Sequence, residues 1–314
     1  MAFLVRSVFL SLFLGGAWQV GAQVVPSTEQ TALAYLALEV RLWKSDNGCY
    51  SCHNNGDGAR VLYTAQRLGW EQPEEALRDT TAWLSNPQSW DSNPGDPEFS
   101  DKKLASIQFA AALEAAVAAG FASRDALVEA AKLLLPHQEE DGSWQVDARG
   151  SIGSPITYGP GLATYMARRV LKAANDRAFD DAIELADGWF VGSDSKNVLD
   201  AAAAVLALVD GVSGNVTQDA AVALIVGAQN GDGGWGPFAK SPSEPFDTAL
   251  ALLALDSLGG AHREQIDRGR RFLQDTQLSP GGWPETTRPP GSQSYAQHVS
   301  TSAWATLALL ETGE

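Results

Sequence analysis

The feature that most constrains the fold of this chain is an internal repeat. Four loop segments rich in Gly, Pro and Ser each contain a tryptophan and separate stretches rich in Ala and Leu. The tryptophans Trp90, Trp144, Trp235 and Trp283 are spaced by 54, 91 and 48 residues. Because 91 is close to two repeat lengths, one repeat has lost its tryptophan, and its degenerate loop is expected around Trp189. Such a period indicates stacked units that bury a shared core.

The stretches between these loops show the apolar periodicity of helices, and alternating β-branched runs are absent. Glycines such as Gly69, Gly120, Gly211 and Gly259 follow Ala/Leu-rich runs, as expected where helices end. The pattern predicts helices over 28–44, 58–69, 73–85, 101–119, 123–136, 157–174, 178–190, 196–210, 216–228, 246–258, 262–276 and 298–311.

The second helix of each pair is more uniformly apolar than the first, which contains more charged residues. A helix that is apolar on all sides is buried. We therefore predict an all-α (α/α)₆ toroid, in which six helical hairpins place their second helices in an inner ring and their first helices in an outer ring. This single domain is expected to span residues 23–314. An open solenoid of six hairpins is the structural alternative.

Segment 229–236, QNGDGGWG, resembles the Gln–Trp motif of squalene cyclases and protein prenyltransferase β subunits, and segments 138–144 and 277–283 are loosely similar to it. The resemblance covers residues 28–312. It implies the toroid fold of that family, structural roles for Gln229, Asp232 and Trp235, and a cyclase- or prenyltransferase-like enzyme acting on an apolar substrate. The Asp-x-Asp-Asp acid motif of squalene cyclases does not occur. Asp180 and Asp181 lack its first acid and suit a helix start instead.

The loop predicted over residues 46–58 departs from the repeat pattern. It contains both cysteines of the chain, Cys49 and Cys52, directly followed by His53. Cys-x-x-Cys-His is the attachment pattern of c-type haem. Two thiols at this spacing reach the two vinyl groups of one porphyrin edge, and the adjacent imidazole becomes an axial ligand of the iron. We therefore predict that residues 46–58 hold one covalent haem c.

Three alternatives remain open for the same residues: a disulfide between Cys49 and Cys52, an idle thiol pair, and a zinc site. The zinc alternative also uses the family resemblance. Prenyltransferase β subunits bind zinc through an Asp-x-Cys segment and a His that opens a late inner helix, which implies His298 as a ligand here. Ring topology also makes His298 the nearest candidate for a sixth iron ligand, ahead of His137.

The first 22 residues predict an export signal. Arg6 precedes an apolar run over 8–17, and small residues at Gly21 and Ala22 suit cleavage after Ala22. That run is too short to span a bilayer, and no later segment is long and apolar enough to do so. We expect a secreted, periplasmic chain without a transmembrane segment. Its formal net charge of -16 makes nucleic acid and anionic lipid poor partners.

The sequence leaves three functions open. The first is an exported haem protein that acts in electron transfer or as an oxidoreductase with a redox partner protein. The second is a terpene cyclase- or prenyltransferase-like enzyme, with or without zinc, that binds a small apolar ligand. The third is a non-catalytic module that binds a peptide, a glycan or a partner protein at its aromatic loops.

Overall fold

The computed structural model describes residues 25–94, 101–146, 152–209, 216–288, 291 and 293–313. The predicted export signal, residues 1–22, lies outside them. The described residues contain no strand and form twelve α-helices. These are α1 (Thr28–Asn47), α2 (Ala59–Arg67), α3 (Glu74–Leu84), α4 (Lys102–Ala118), α5 (Arg124–Leu134), α6 (Gly159–Ala174), α7 (Asp180–Gly192), α8 (Val198–Leu208), α9 (Val216–Ala228), α10 (Pro245–Asp256), α11 (Arg263–Thr276) and α12 (Tyr295–Glu311).

The twelve helices close into a toroid of two concentric rings. The even-numbered helices contact one another in chain order, and α12 returns to α2 and to a π-helical turn, Cys52–Gly58, that precedes α2. The odd-numbered helices lie outside them. In the outer ring, Arg270 of α11 pairs with Glu29 of α1 at 3.1 Å. The predicted (α/α)₆ toroid is therefore confirmed, and the open solenoid is wrong.

The burial of each helix follows its composition. Nearly every residue of α8 is buried, because this Ala-, Leu- and Val-rich helix has apolar side chains on all sides. The outer helix α11 buries a stripe formed by Ile266, Gly269, Phe272 and Leu273, and residues such as Arg263 and Glu264 are exposed. Among the described residues, no helix is long and apolar enough to cross a membrane.

The repeat turns form hydrogen bonds with two neighbouring outer helices. In three pairs, the tryptophan indole N–H donates to a carbonyl of the preceding outer helix, and the glutamine amide donates to a carbonyl of the next one. The indole bonds are Trp144 to Leu134, Trp235 to Ile225 and Trp283 to Leu273, at 2.9, 2.7 and 2.7 Å. The amide bonds are Gln138 to Ala182, Gln229 to Gln265 and Gln277 to Thr28, at 2.8, 2.9 and 3.0 Å. These residues are therefore structural.

Large side chains fill the centre of the inner ring. The buried Trp304 of α12 lies against Arg60 of α2, whose guanidinium is 4.1 Å from the indole centroid. Tyr158, just before α6, and Phe246 of α10 meet the same indole edge-on at 5.8 and 6.0 Å. Ligand-sized space is therefore found at the ends of the ring rather than along its axis.

Three local expectations were wrong. The predicted loop 46–58 is mostly helical, because α1 continues to Asn47 and Ser51 caps a π-helical turn by accepting the His53 and Asn54 backbone N–H groups. Helix α12 begins at Tyr295, where Ser294 caps it, so His298 lies inside the helix rather than at its start. The degenerate loop expected around Trp189 is not there, because Trp189 lies in α7, within the predicted helix 178–190.

We predict that replacing a turn glycine of the repeats lowers the stability of the fold. Gly233 has φ +91°, and a Cβ there would lie 2.6 Å from the Arg268 carbonyl oxygen of α11. Gly233→Ala should lower the free energy of unfolding in urea by about 2 kcal/mol or more. Gly188→Ala is the matched control, since nothing lies near its Cβ position in α7, and it should raise stability by about 0.5–1 kcal/mol. Equal effects of the two changes would contradict the turn geometry.

Candidate functional site

A cavity of about 560 Å³, here called the mouth cavity, opens where the outer helices connect to the inner ones. Residues 49–53, the region around Asn93 and the starts of α4 and α12 form its wall. Five of its lining side chains are aromatic: Trp43, Tyr50, Trp90, Phe109 and Tyr295. Trp43 and Tyr295 are stacked, with ring centroids 5.2 Å apart. The cavity therefore suits an apolar or flat ligand.

Cys49, Cys52 and His53 all line the mouth cavity. The local sequence explains their position, because Gly48 ends α1 in the left-handed conformation at φ 74° and turns the chain inward. Cys49 then lies in the connection, and Cys52 is the first residue of the π-helical turn. Among the described residues, no disulfide bond joins Cys49 to Cys52. The three residues of the Cys-x-x-Cys-His motif thus face one common space.

A hydrogen-bonded chain leads from His53 to a carboxyl group at the ring centre. His53 Nδ1 lies 2.9 Å from Ser300 Oγ, which donates to Asp57 Oδ2 at 2.8 Å. Because the hydroxyl gives its hydrogen to Asp57, it accepts from the His53 Nδ1–H, and Nε2 holds the lone pair. Burial lowers the pKa of His53 to about 4, so the imidazole is neutral at pH 7.

Asp57 is 3% exposed and accepts hydrogen bonds from side chains of three inner-ring segments. Gln108 donates at 2.8 Å, Ser300 donates at 2.8 Å, and Tyr158 forms a short bond. Burial raises the pKa of Asp57 to about 6, although the nearby Arg60 and the three donors oppose this shift. The carboxyl group is therefore able to take and release a proton near neutral pH.

The sequence analysis missed Asp57, but the repeat contains a signal for it. Asp57 lies twelve positions before Gly69, and Gln108, Asp247 and Thr301 lie twelve positions before Gly120, Gly259 and Gly313, respectively. Four inner-ring segments therefore place a polar side chain at one level of the ring. Counting back from these four glycines would have found this layer, although the same count from Gly211 gives the apolar Leu199.

A second buried carboxyl group, Asp247, is held by Arg288. The guanidinium forms a short ion pair with Asp247 and a 3.0 Å pair with Glu244, and it also bonds the Gly153 carbonyl. Burial and the neighbouring Glu244 raise the pKa of Asp247, and the Arg288 guanidinium opposes this shift. None of these residues lines the mouth cavity. We interpret this group as a clamp between α10 and the last repeat turn.

His298 does not join the cysteine motif. Its ring packs edge-on against Tyr35 at 5.8 Å, and its Nδ1 lies 3.7 Å from Glu285. His298 is absent from the lining of the mouth cavity, whereas Ser300, two residues later, bonds to His53. In the described ranges, no three His, Cys, Asp or Glu side chains gather to hold a metal ion. The structure therefore does not bring the predicted four-residue zinc set together.

Comparison with known proteins supports a cyclase-type toroid. Residues 182–294 match the squalene-hopene cyclase C-terminal domain family. The fold is the α/α-toroid of terpene cyclases. Drimenyl diphosphate synthase of Streptomyces showdoensis is 30% identical over 176 residues, which are 51% of this chain and 32% of that enzyme. The chain thus spans about a third of the length of this curated relative.

Solved structures share the fold at low sequence identity. The type II terpene cyclase MstE from Scytonema has a TM-score of 0.57 and 16% identity, over 90% of this chain and 98% of that one. Structures of MstE contain geranylgeranyl dihydroxybenzoate as substrate or merosterolic acid A as product. A possible GH105 family member from Klebsiella pneumoniae has a TM-score of 0.54 and 13% identity, and each chain is covered to 98%. The fold alone therefore does not decide the chemistry.

We predict that Asp57 makes stability depend on pH. Its folded pKa of about 6 lies above the ordinary value of 3.8, so its favourable contribution is complete below pH 3.8 and is lost as pH rises through 6. Relative to Asp57→Asn, the free energy of unfolding of the wild type should fall by about 3 kcal/mol across this range. Urea titrations at several pH values measure it. A difference between the two proteins that does not change with pH would contradict the assignment.

Proposed function

We propose that this chain binds a small apolar ligand of the prenyl type in the mouth cavity and transfers a proton to it, as a terpene cyclase-like enzyme. The observation that supports this most directly is the chain Asp57–Ser300–His53, which connects a buried acid to the cavity floor. The toroid fold and the squalene-hopene cyclase match over residues 182–294 support the substrate class.

The cavity wall offers the environment that such chemistry needs. Protonation of a carbon–carbon double bond creates a cation, and aromatic faces stabilise a cation electrostatically. Trp43, Tyr50, Trp90, Phe109 and Tyr295 supply such faces. Since Trp304 and its neighbours fill the ring centre, the ligand would bind at the mouth and not along the axis.

The proposed proton transfer balances along the chain. When Asp57 is protonated, its O–H donates to Ser300 Oγ, the Ser300 O–H donates to His53 Nδ1, and His53 Nε2–H faces the ligand. As Nε2 releases its proton to a ligand carbon, each group passes one proton along. Asp57 ends as a carboxylate, and His53 is neutral before and after. A proton returned from solvent or from the product resets the chain.

We predict that Asp57→Asn, Ser300→Ala and His53→Gln each reduce cyclisation at least about 100-fold, the contribution expected of a positioned proton donor. Squalene and geranylgeraniol in detergent micelles serve as probes, and mass spectrometry detects products of unchanged mass. Activity should fall about tenfold per pH unit above pH 6, because the protonated form of Asp57 is required.

Asp46→Asn, at the exposed end of α1, is the matched control and should retain full activity. Activity that survives Asp57→Asn, or that rises with pH between 6 and 8, would contradict the proposed acid. Failure of the wild-type protein to convert either polyene would contradict the substrate class.

A covalent c-type haem is the second candidate, and one observation favours it. Cys49, Cys52 and His53 line the same cavity, and His53 is neutral with its Nε2 lone pair available. A hydrogen bond from the other ring nitrogen orients metal-ligating histidines in this way. Each thiol S–H would add across one vinyl double bond, sulfur to one carbon and hydrogen to the other. No oxidant is consumed, and iron would supply electron transfer with a redox partner protein.

Because a porphyrin would fill the space that the apolar ligand needs, the two candidates exclude one another. The haem candidate predicts sharp visible bands from protein made with its leader in a host that attaches c-type haem, and the bands should persist after denaturation. Cys49→Ala/Cys52→Ala should abolish the covalent bands. Colourless wild-type protein from that host would remove this candidate and leave the proton-transfer proposal unaffected.

A further inference from the structure

The fourth helix pair lacks the structural tryptophan of its neighbours. In three other pairs, the tryptophan backbone N–H donates to a hydroxyl of the following inner helix, and each bond is 2.9 Å long. These bonds are Trp144 to Thr164 of α6, Trp235 to Thr248 of α10 and Trp283 to Ser302 of α12. The corresponding connection of the fourth pair, residues 193–197 between α7 and α8, contains no tryptophan.

In the fourth pair, Asp200 occupies the repeat position that holds a Thr or Ser hydroxyl in the three other inner helices. Thr164, Thr248 and Ser302 each lie eleven positions before Asn175, Gly259 and Gly313, where their inner helices end. Counting back eleven positions from Gly211 in the fourth pair gives Asp200. The loss of the tryptophan thus coincides with the replacement of a hydroxyl by a carboxyl group.

A cavity of about 460 Å³ lies beside Asp200. Trp189 and Phe190 of α7 form one wall in an edge-to-face pair at 4.9 Å, and Phe238 lines the same space. The rest of the polar lining consists of Gln145, Ser193, Asp194, Ser195, Lys196 and Asn197, so two carboxyl groups and one ammonium group border this space. This cavity shares no lining residue with the mouth cavity, so it is independent of the proposed function.

Two acceptors in this cavity need a donor. Asp200 Oδ2 accepts from Asn197 Nδ2 at 2.6 Å, but no Lys, Arg or His of the described residues pairs with Asp200. Burial raises the pKa of Asp200, and the hydrogen bond from Asn197 opposes this shift. Gln145 Oε1 is buried and has no hydrogen-bond partner in the part of the chain that the structure describes.

We propose that this cavity binds a small organic cation with N–H donors, such as a primary ammonium or guanidinium group, between Asp200 and Gln145. The cation would pair with the Asp200 carboxylate and donate to Gln145 Oε1, and its carbon part would contact Trp189, Phe190 and Phe238. A quaternary ammonium lacks N–H donors and would leave both acceptors unsatisfied. An anion would meet two carboxylates, Asp194 and Asp200, against the one ammonium group of Lys196.

Titration calorimetry with phenethylammonium as the probe tests the proposal. The wild-type protein should bind it with a Kd below about 1 mM. Its trimethylated analogue should bind at least about tenfold more weakly, because it cannot donate to Gln145 Oε1. Fluorescence of Trp189 should change on binding, and Trp189→Phe should remove that change.

Two variants separate the cation site from a folding defect. Asp200→Asn removes the charge, and Asp200→Thr restores the hydroxyl of the other repeats, so both should fold and bind phenethylammonium at least about tenfold more weakly. Asp219→Asn, at an exposed position of α9, controls for the net charge and should bind like the wild type. Absence of binding to the wild type, or equal binding to Asp200→Asn, overturns the proposal, whatever the activity at the mouth cavity.

Discussion

The structure depends on the hydrogen bonds that fasten each repeat turn to two outer helices. The last carbonyl groups of a helix have no partner within the helix, and leaving them buried and unpaired is costly. The indole N–H of Trp235 bonds to such a carbonyl, that of Ile225 in the last turn of α9. The amide of Gln229 bonds to the carbonyl of Gln265 in the first turn of α11, so one turn fixes two neighbouring outer helices. The same arrangement at Gln277 reaches Thr28 of α1, which joins the last pair to the first. Ring closure is thus a property of the turns as well as of the apolar inner helices.

Much of this architecture could be predicted from the sequence, because periodicity and repeat spacing are local properties. The inner helices were recognisable from their continuous apolar composition, and the repeat turns from Gly and Trp at fixed spacing. The connection 46–58 was misjudged, since π-helical pairing in Cys52–Gly58 depends on the Ser51 cap and on packing against α4 and α12. His298 was misplaced for a related reason. In the structure α12 begins three residues earlier than predicted. The His298 side chain packs against Tyr35, and Ser300 is the residue of α12 that bonds to His53.

Only part of the candidate site could be predicted from the sequence. The Cys-x-x-Cys-His pattern identified Cys49, Cys52 and His53, and the structure places all three at one cavity. Asp57 was missed because a single carboxylate between glycines has no motif of its own. Its importance comes from tertiary contacts with Gln108, Ser300 and Tyr158, which follow it by tens to hundreds of residues in the chain. The repeat spacing gives the level of Asp57 in the ring, but the convergence of these three side chains on it requires the closed ring.

The two candidate functions differ in what His53 Nε2 binds. Burial keeps His53 neutral, and the hydrogen bond with Ser300 occupies its Nδ1, which leaves Nε2 for chemistry in the mouth cavity. Nε2 either exchanges a proton with an apolar ligand or bonds a metal, and it cannot do both at once. Asp57 would serve in both proposals, as the proton source in the first and as the outer partner that orients the metal-binding imidazole in the second. The occupant of the mouth cavity therefore determines whether this polar chain moves protons or holds a cofactor.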